Sequence, residues 1–388
     1  MRWRGRHYRT GERIDVVCDD SRILSIEPAG PQHADREGEW LAPGFFDLQI
    51  NGCLGIGFGP PDITAEKIRT VVDKCRQHGI VELLPTLITG SFENLSRGFA
   101  TLARACEEDA DLRHAIVGFH LEGPYLSPED GPRGAHPRHH VRRPDWDEFR
   151  RLQDAAKGNI RLVTLAPEIE GAIPFVEKLA GSNIVVAIGH TAASAADIQA
   201  AVGAGAKLST HLGNGSHAVL PRHPNYIWEQ LAADELWASI IADGHHLPTS
   251  VIKSIVRVKT PARTILTCDA GPLAGMPPGR YRDWDQELEV TAEGKIVLPG
   301  TKYLAGSWAF TDACVGHAIE AAGVSLADAV DMASARVREL FGMPPRELAV
   351  GHAANLIAFD WSPGSQLKVI SASFSPLPLG PLRERGRG

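Results

Sequence analysis

The sequence predicts an α/β protein, a (β/α)8 TIM-like barrel carrying a small β-sandwich built from both chain ends. Three observations predict it. Through the middle of the chain, short apolar runs alternate about eight times with segments of helical period, the order of a closed parallel barrel. Four of those runs each deliver one acid, base or metal-binding residue. Ala115 to Leu121 delivers Glu122, Ile184 to Gly189 delivers His190, Ala206 to Thr210 delivers His211, and Arg263 to Cys268 delivers Asp269. Finally, both ends of the chain read as short strands, which places an accessory β unit beside the barrel.

In chain order, residues 1–42 form the first part of that unit. Ile14-Asp15-Val16-Val17 and Arg22 to Ile26 are strand-like, with turn chemistry at Asp19-Asp20-Ser21. The barrel is expected over 43–345. Phe45 to Ile50 is its first strand. Ile63, Ile68, Val71, Val72 and Cys75 carry a helical period that Gly79 stops. Val81 to Leu87 is the second strand, and Ser91 opens a helix with Leu95, Phe99, Leu102 and Cys106 on one face. After Glu122 comes a loop rich in Gly, Pro and His over 123–144, and Asp145 begins the next helix. Leu162 to Leu165, Val185 to Ile188, Lys207 to Thr210, Trp237 to Ala242 and Thr264 to Cys268 continue the strand series. Residues 271–303 interrupt it as an insertion, with Glu293-Gly294 as a hairpin turn. By length alone the insertion is equally a lid or a surface excursion. Residues 346–388 supply the second part of the β unit, through Asn355 to Phe359 and Leu367 to Ile370.

At 388 residues the chain exceeds one ordinary core, which fits a large domain with a smaller one. The hydrophobic fraction of 43% and charged fraction of 22% are those of a soluble globular protein. A net charge of −7 argues against nucleic acid or an anionic membrane as partner, since both favour basic surfaces. Apolar stretches fall short of the roughly 18 residues that span a bilayer. The six cysteines, Cys18, Cys53, Cys75, Cys106, Cys268 and Cys314, are widely spaced with no Cys-x-x-Cys pair. With no signal peptide read at the start, the expectation is reduced thiols in a cytoplasmic protein.

Glu122, His190 and His211 supply one oxygen and two nitrogens, a donor set that suits one divalent cation, zinc first and iron second, with a position open to water. Taken singly, a histidine after a strand is more often a packing residue; the joint placement at strand ends favours a site. Asp269 is the candidate general base, taking a proton from water and passing it to a leaving nitrogen. His136, in a cationic loop, is placed to orient or polarise a substrate carbonyl. Asn214 and the backbone beside it can hydrogen-bond a sugar. Arg222 can grip an anionic group through its guanidinium fork, although composition equally allows a surface residue held between Pro221 and Pro224. Of His245 and His246, one is expected to face the barrel mouth.

Ala42-Pro43-Gly44-Phe45-Phe46-Asp47, His120-Leu121-Glu122-Gly123-Pro124, Gly189-His190-Thr191, Thr210-His211-Leu212-Gly213-Asn214, Ala242-Asp243-Gly244-His245-His246, Asp269-Ala270 and Leu304-Ala305-Gly306-Ser307 occur in order. As an ordered set they resemble the N-acetylglucosamine-6-phosphate deacetylase family of the amidohydrolase superfamily, from about Arg13 to Phe359. The resemblance implies hydrolysis of an N-acetyl group to acetate and an amino sugar phosphate, by a homodimer. It implies metal ligands at Glu122, His190 and His211, a catalytic aspartate at Asp269 and a carbonyl-orienting histidine at His136. It also implies sugar contacts at His246, Asn214 and Gly215, and a phosphate-binding arginine at Arg222 acting across the dimer interface. Two-metal members of the superfamily carry His-x-His on strand one; here Gln49 and Asn51 stand there, so these are vestigial second-metal positions and one metal is expected. Gly213, the Asn214-Gly215-Ser216 run and the Pro221-Arg222-His223 flank depart from the family pattern. A deacetylase or other amidohydrolase with a different, unphosphorylated substrate, or an inactive sugar-binding barrel, are the alternatives.

Overall fold

Eight strands run parallel in a single sheet, in chain order around the ring: Phe45–Ile50, Ile80–Ile88, Phe119–Glu122, Ile160–Leu165, Val185–Ile188, Leu208–Ser209, Trp237–Ile241 and Thr264–Thr267. This computed structural model describes residues 1–283, 286–301 and 303–373. The ring closes where strand eight meets strand one. Ile50 bridges Ala270, and the Asn51 N–H donates to the Ala270 carbonyl at 2.9 Å. The buried Asp47 carboxylate reinforces this seam by accepting from the Cys268 N–H at 2.8 Å and the Thr311 hydroxyl at 2.6 Å.

Both faces of these strands are covered, which is why their sequences are nearly continuous apolar runs. Side chains two residues apart still share a face, and this period sorts the barrel interior into layers. At the N-terminal end, Phe46, Leu84, Leu162, Leu208, Trp237 and Ile265 form an apolar plug. Phe341, following helix Ala335–Leu340, caps it and stacks on Phe46 at 5.9 Å. One layer up, His120 bonds Thr86 through Nδ1 at 3.2 Å and Thr164 through Nε2 at 2.8 Å. The layer above, at the C-terminal ends, holds Glu122, His190, His211 and Asp269.

The helices start where expected. Ser91 caps Phe92–Glu108 by accepting from the Asn94 N–H, and Asp145 caps Trp146–Ala155 by accepting from Glu148. Strand three differs from its sequence reading. The run from Ala115 was read as strand throughout, but Ala110–Ala115 is helical, capped by Asp109, and the strand begins at Phe119. The cap satisfies two backbone donors and so carries the helix into the apolar run.

Both chain ends meet in one six-stranded mixed sheet, ordered Lys368–Ser373, Leu356–Asp360, Arg36–Pro43, Arg2–His7, Arg13–Cys18 and Ile23–Pro28. Trp3, Val16 and Leu41 on this sheet belong to the same apolar cluster as Ile68 and Val71 on barrel helix Ala65–Gln77. Residues 374–388, assigned above to the accessory unit, lie outside the described residues, as do 284, 285 and 302 of the insertion. From Gly279 the insertion supplies three strands, Gly279–Asp283, Gln286–Val290 and Lys295–Val297, of a four-stranded antiparallel sheet that Leu304–Ser307, just beyond it, completes. The expected hairpin pairs Glu289 with Val297 and Val290 with Ile296. The insertion packs a small core of its own, Leu273, Leu288, Val290, Ile296 and Ala305. Strand Leu304–Ser307 returns the chain to the barrel, where Ser307 bridges Ala270.

Candidate active site

Glu122 sits at the end of strand three, and two imidazoles converge on it. His190 Nε2 is 3.3 Å and His211 Nε2 3.1 Å from Glu122 Oε1, and the two nitrogens are 3.1 Å apart. A tetrahedral ion with bonds of about 2.0–2.1 Å would hold its ligand atoms about 3.3 Å from one another, so this triangle fits a zinc-sized cation. The tautomer of His190 fits too. Its Nδ1 lies 2.8 Å from the Pro132 carbonyl, which can only accept, so the proton is on Nδ1 and the Nε2 lone pair faces the site.

His136 joins the same cluster. Its Nε2 is 3.2 Å from His190 Nε2 and 3.9 Å from Glu122 Oε2, while its Nδ1 is 2.9 Å from the Thr89 hydroxyl. Glu122, His136 and His190 form a buried group whose donor atoms all lie within 4.8 Å of one another. His136 and His211 each complete a three-residue set with Glu122 and His190, and the one with His211 is the tighter triangle. Burial alone would raise the Glu122 carboxyl; the imidazoles packed against it, His190 foremost, override this and hold it well below the usual range. Burial, with His190 beside it, keeps His136 neutral far below the ordinary histidine range.

Asp269 faces this cluster from strand eight. Burial and the nearby Glu122 charge push its carboxyl well up, against the hydrogen bond from Asn51. That bond is 2.6 Å, from Asn51 Nδ2 to Asp269 Oδ1. Gln49 Nε2 likewise donates to Glu122 Oε1 at 2.9 Å. The two strand-one amides thus turn N–H donors toward the carboxylates. A donor N–H has no lone pair to offer a cation.

His190, His211 and Asp269 have φ of +51°, +28° and +53°. Non-glycine residues rarely enter this left-handed region, and such residues gather at functional sites. Here the kink falls just past the end of each strand, at the residue whose side chain lines the cavity. Glycines make room for His190: a Cβ at Gly215, φ +55°, would stand 2.7 Å from its Nδ1.

These residues line a cavity of about 300 Å³. Asn214, Gly215 and His246 line it as well, with Tyr303 and Leu304 from the insertion forming part of the wall. His245 also reaches it. His246 is held through Nδ1 by Asp243 Oδ2 at 2.7 Å. Burial would raise the Asp243 carboxyl, but His246 and two backbone N–H groups hold it well below the usual range. Arg222 is exposed and outside the cavity lining of its own chain.

Several supporting residues escaped the sequence reading. Thr89 and Pro132, which set the two histidine rings, carry no local signal. Glu168 accepts from the Thr191 hydroxyl and the Ala192 N–H at 2.6 Å, fixing the turn after His190. Asp243, three residues before His246, had a readable spacing in its motif.

The profile of the amidohydrolase family matches residues 40–378. This chain belongs to the amidohydrolase family. Relatives similar along most of the chain include deacetylases of amino-sugar phosphates. Human N-acetylglucosamine-6-phosphate deacetylase is 34% identical, covering 92% of this chain and 90% of its own. An N-acetylgalactosamine-6-phosphate deacetylase of Escherichia coli O157:H7 is 31% identical, covering 88% and 89%. Among solved structures, a mutant of Mycobacterium smegmatis N-acetyl-D-glucosamine-6-phosphate deacetylase in complex with N-acetyl-D-glucosamine-6-phosphate superposes with a TM-score of 0.86 at 30% identity, over 97% of this chain and 98% of that one. Among the described residues, no helix is long and apolar enough to cross a membrane.

Proposed function

We propose that this amidohydrolase removes the acetyl group of N-acetylglucosamine-6-phosphate, yielding acetate and glucosamine-6-phosphate, as a step of amino-sugar catabolism. The observation that carries this reading is the buried triangle of Glu122, His190 and His211 facing Asp269 across one cavity.

Glu122, His190 and His211 would hold one divalent ion, zinc before iron. When bound, such an ion polarises the amide carbonyl and acidifies water. Asp269 takes the proton of the attacking water and returns it to the departing nitrogen. Its elevated proton affinity suits both halves of that task. His136 is neutral. With Thr89 at Nδ1, its Nε2–H can donate to the carbonyl oxygen as charge develops there. Gln49 and Asn51 spend their N–H groups on the two carboxylates, which supports one metal rather than two. Asn214, Gly215 and His246 hold the sugar. Arg222 is exposed and does not line its own cavity, so we assign it to the phosphate bound by the other subunit of a homodimer. Six unpaired cysteines fit a cytoplasmic enzyme.

The test is acetate release from N-acetylglucosamine-6-phosphate by zinc-loaded protein, with chelated protein as control. Absence of turnover sinks the reading. Arg222→Ala should raise KM and leave kcat nearly unchanged; an unaltered KM removes the phosphate role. The likeness to the Escherichia coli deacetylase favours a second reading, in which N-acetylgalactosamine-6-phosphate is the better substrate. The two sugars differ only in the direction of one hydroxyl, and the ratio of their kcat/KM values decides.

A further inference from the structure

A second cavity of about 300 Å³ adjoins the first, and Asn51 and Ile88 line both. It lies between the loops after strands one, two and three and the insertion, with Phe58, Pro60 and Leu95 among its walls. Of its lining the mechanism above uses only Asn51 and Thr89, at the edge nearest the first cavity.

Its position is set by the topology. The candidate sugar contacts Asn214 and Gly215 follow strand six, and strand two stands across the eight-stranded ring from strand six. An amide whose carbonyl lies at the Glu122 cluster, with its sugar toward strand six, therefore points its acyl tail toward strand two and the second cavity. Asn51 stands at the boundary. It is only 4% exposed, and among the described residues its Oδ1 accepts no hydrogen bond. Phe58, Pro60 and Leu95 supply the apolar part of the wall, with His140, Arg282 and Asp283 elsewhere in the lining, and transfer of methylene groups from water onto the apolar part is favourable.

We infer that this second cavity is an acyl subsite, which admits saturated acyl chains longer than acetyl on the same amino-sugar phosphate. The inference rests on the deacetylase reading. The chemistry is unchanged: the water oxygen bonds to the acyl carbon, the C–N bond breaks, and the water proton ends on the nitrogen, giving the longer carboxylic acid and the free amino sugar.

The experiment compares N-acetyl- and N-butyrylglucosamine-6-phosphate with metal-loaded enzyme. The expected kcat/KM for butyryl is within about tenfold of that for acetyl, less than a pocket closed to two extra methylenes would impose. A Cβ at Gly59 meets no atom within 4 Å, so Gly59→Phe fills the space at little structural cost. Gly90→Leu is the second filling variant, since a Cβ there makes only ordinary contacts, the nearest at 3.7 Å. Each should lower butyryl turnover about tenfold or more relative to acetyl turnover. Acetyl turnover with butyryl more than about 200-fold slower overturns the inference and leaves the deacetylase reading standing. Equal effects of both variants on the two substrates also overturn it. No turnover of either substrate overturns the deacetylase reading and this inference with it.

Discussion

Asp269 shows how one residue's neighbours set its chemistry. Burial and Glu122 raise its proton affinity, and the Asn51 N–H at 2.6 Å opposes them. Asp269→Asn keeps the shape and removes the proton acceptor; kcat should fall by about 10²–10⁴, as expected for loss of general acid–base catalysis, while metal content is retained. Stopped acetate assays with metal analysis check this, and near-normal turnover refutes the role. Asn51→Leu deletes one of the two influences that lower the Asp269 pKa, leaving His211, and leaves those that raise it. Because the base must be ionised to accept a proton, the acidic limb of kcat/KM should move to higher pH. A pH profile that stays in place would count against the Asn51 contact.

At the scale of elements, strand ends and the turns after them do the positioning. A β-strand alternates its faces, so Thr267 and Asp269 share the interior while the kink at φ +53° turns the acid over the mouth. The loop after strand six works by what it lacks. Gly215→Ala introduces a Cβ at 2.7 Å from His190 Nδ1, at a backbone angle that disfavours side chains. His190, pinned to Pro132, can yield only by leaving the triangle. Metal affinity should drop about 10–100-fold, the usual effect of disturbing a ligand's support, with little change in melting temperature. Isothermal titration with zinc reads the first quantity and calorimetry the second.

Across the whole molecule, the barrel separates stability from chemistry along its axis. The C-terminal end is polar and carries the site. The N-terminal end is plugged by apolar side chains and by Glu82, which is buried between Arg338 and Arg346. Breaking a buried pair strands a charge. Arg338→Met should therefore cost about 3 kcal/mol of stability, somewhat below the loss of a lone pair's partner because Arg346 remains 3.2 Å from Glu82. Urea denaturation measures the loss, and kcat per folded molecule should be unchanged. A variant as stable as the parent would show that Arg346 suffices.

Local sequence determined the strand–helix alternation and which residues stand at strand ends. Those features depend on neighbours a few positions away, through the period of burial and the caps at Ser91 and Asp145. It therefore exposed Glu122, His190, His211 and Asp269 as one set, before any coordinates. The family likeness supplied their roles. Only the tertiary structure decided who meets whom over distance. Strand one turns the Gln49 and Asn51 amides onto two carboxylates. Pro132 sets the tautomer of His190 from 58 residues away, and Arg338 meets Glu82 across 256. Strand Arg2–His7, unread in the sequence, pairs parallel with Arg36–Pro43. Such contacts exist only once the ring has closed, because closure, and no local propensity, brings the loops to one mouth and the chain ends to one sheet.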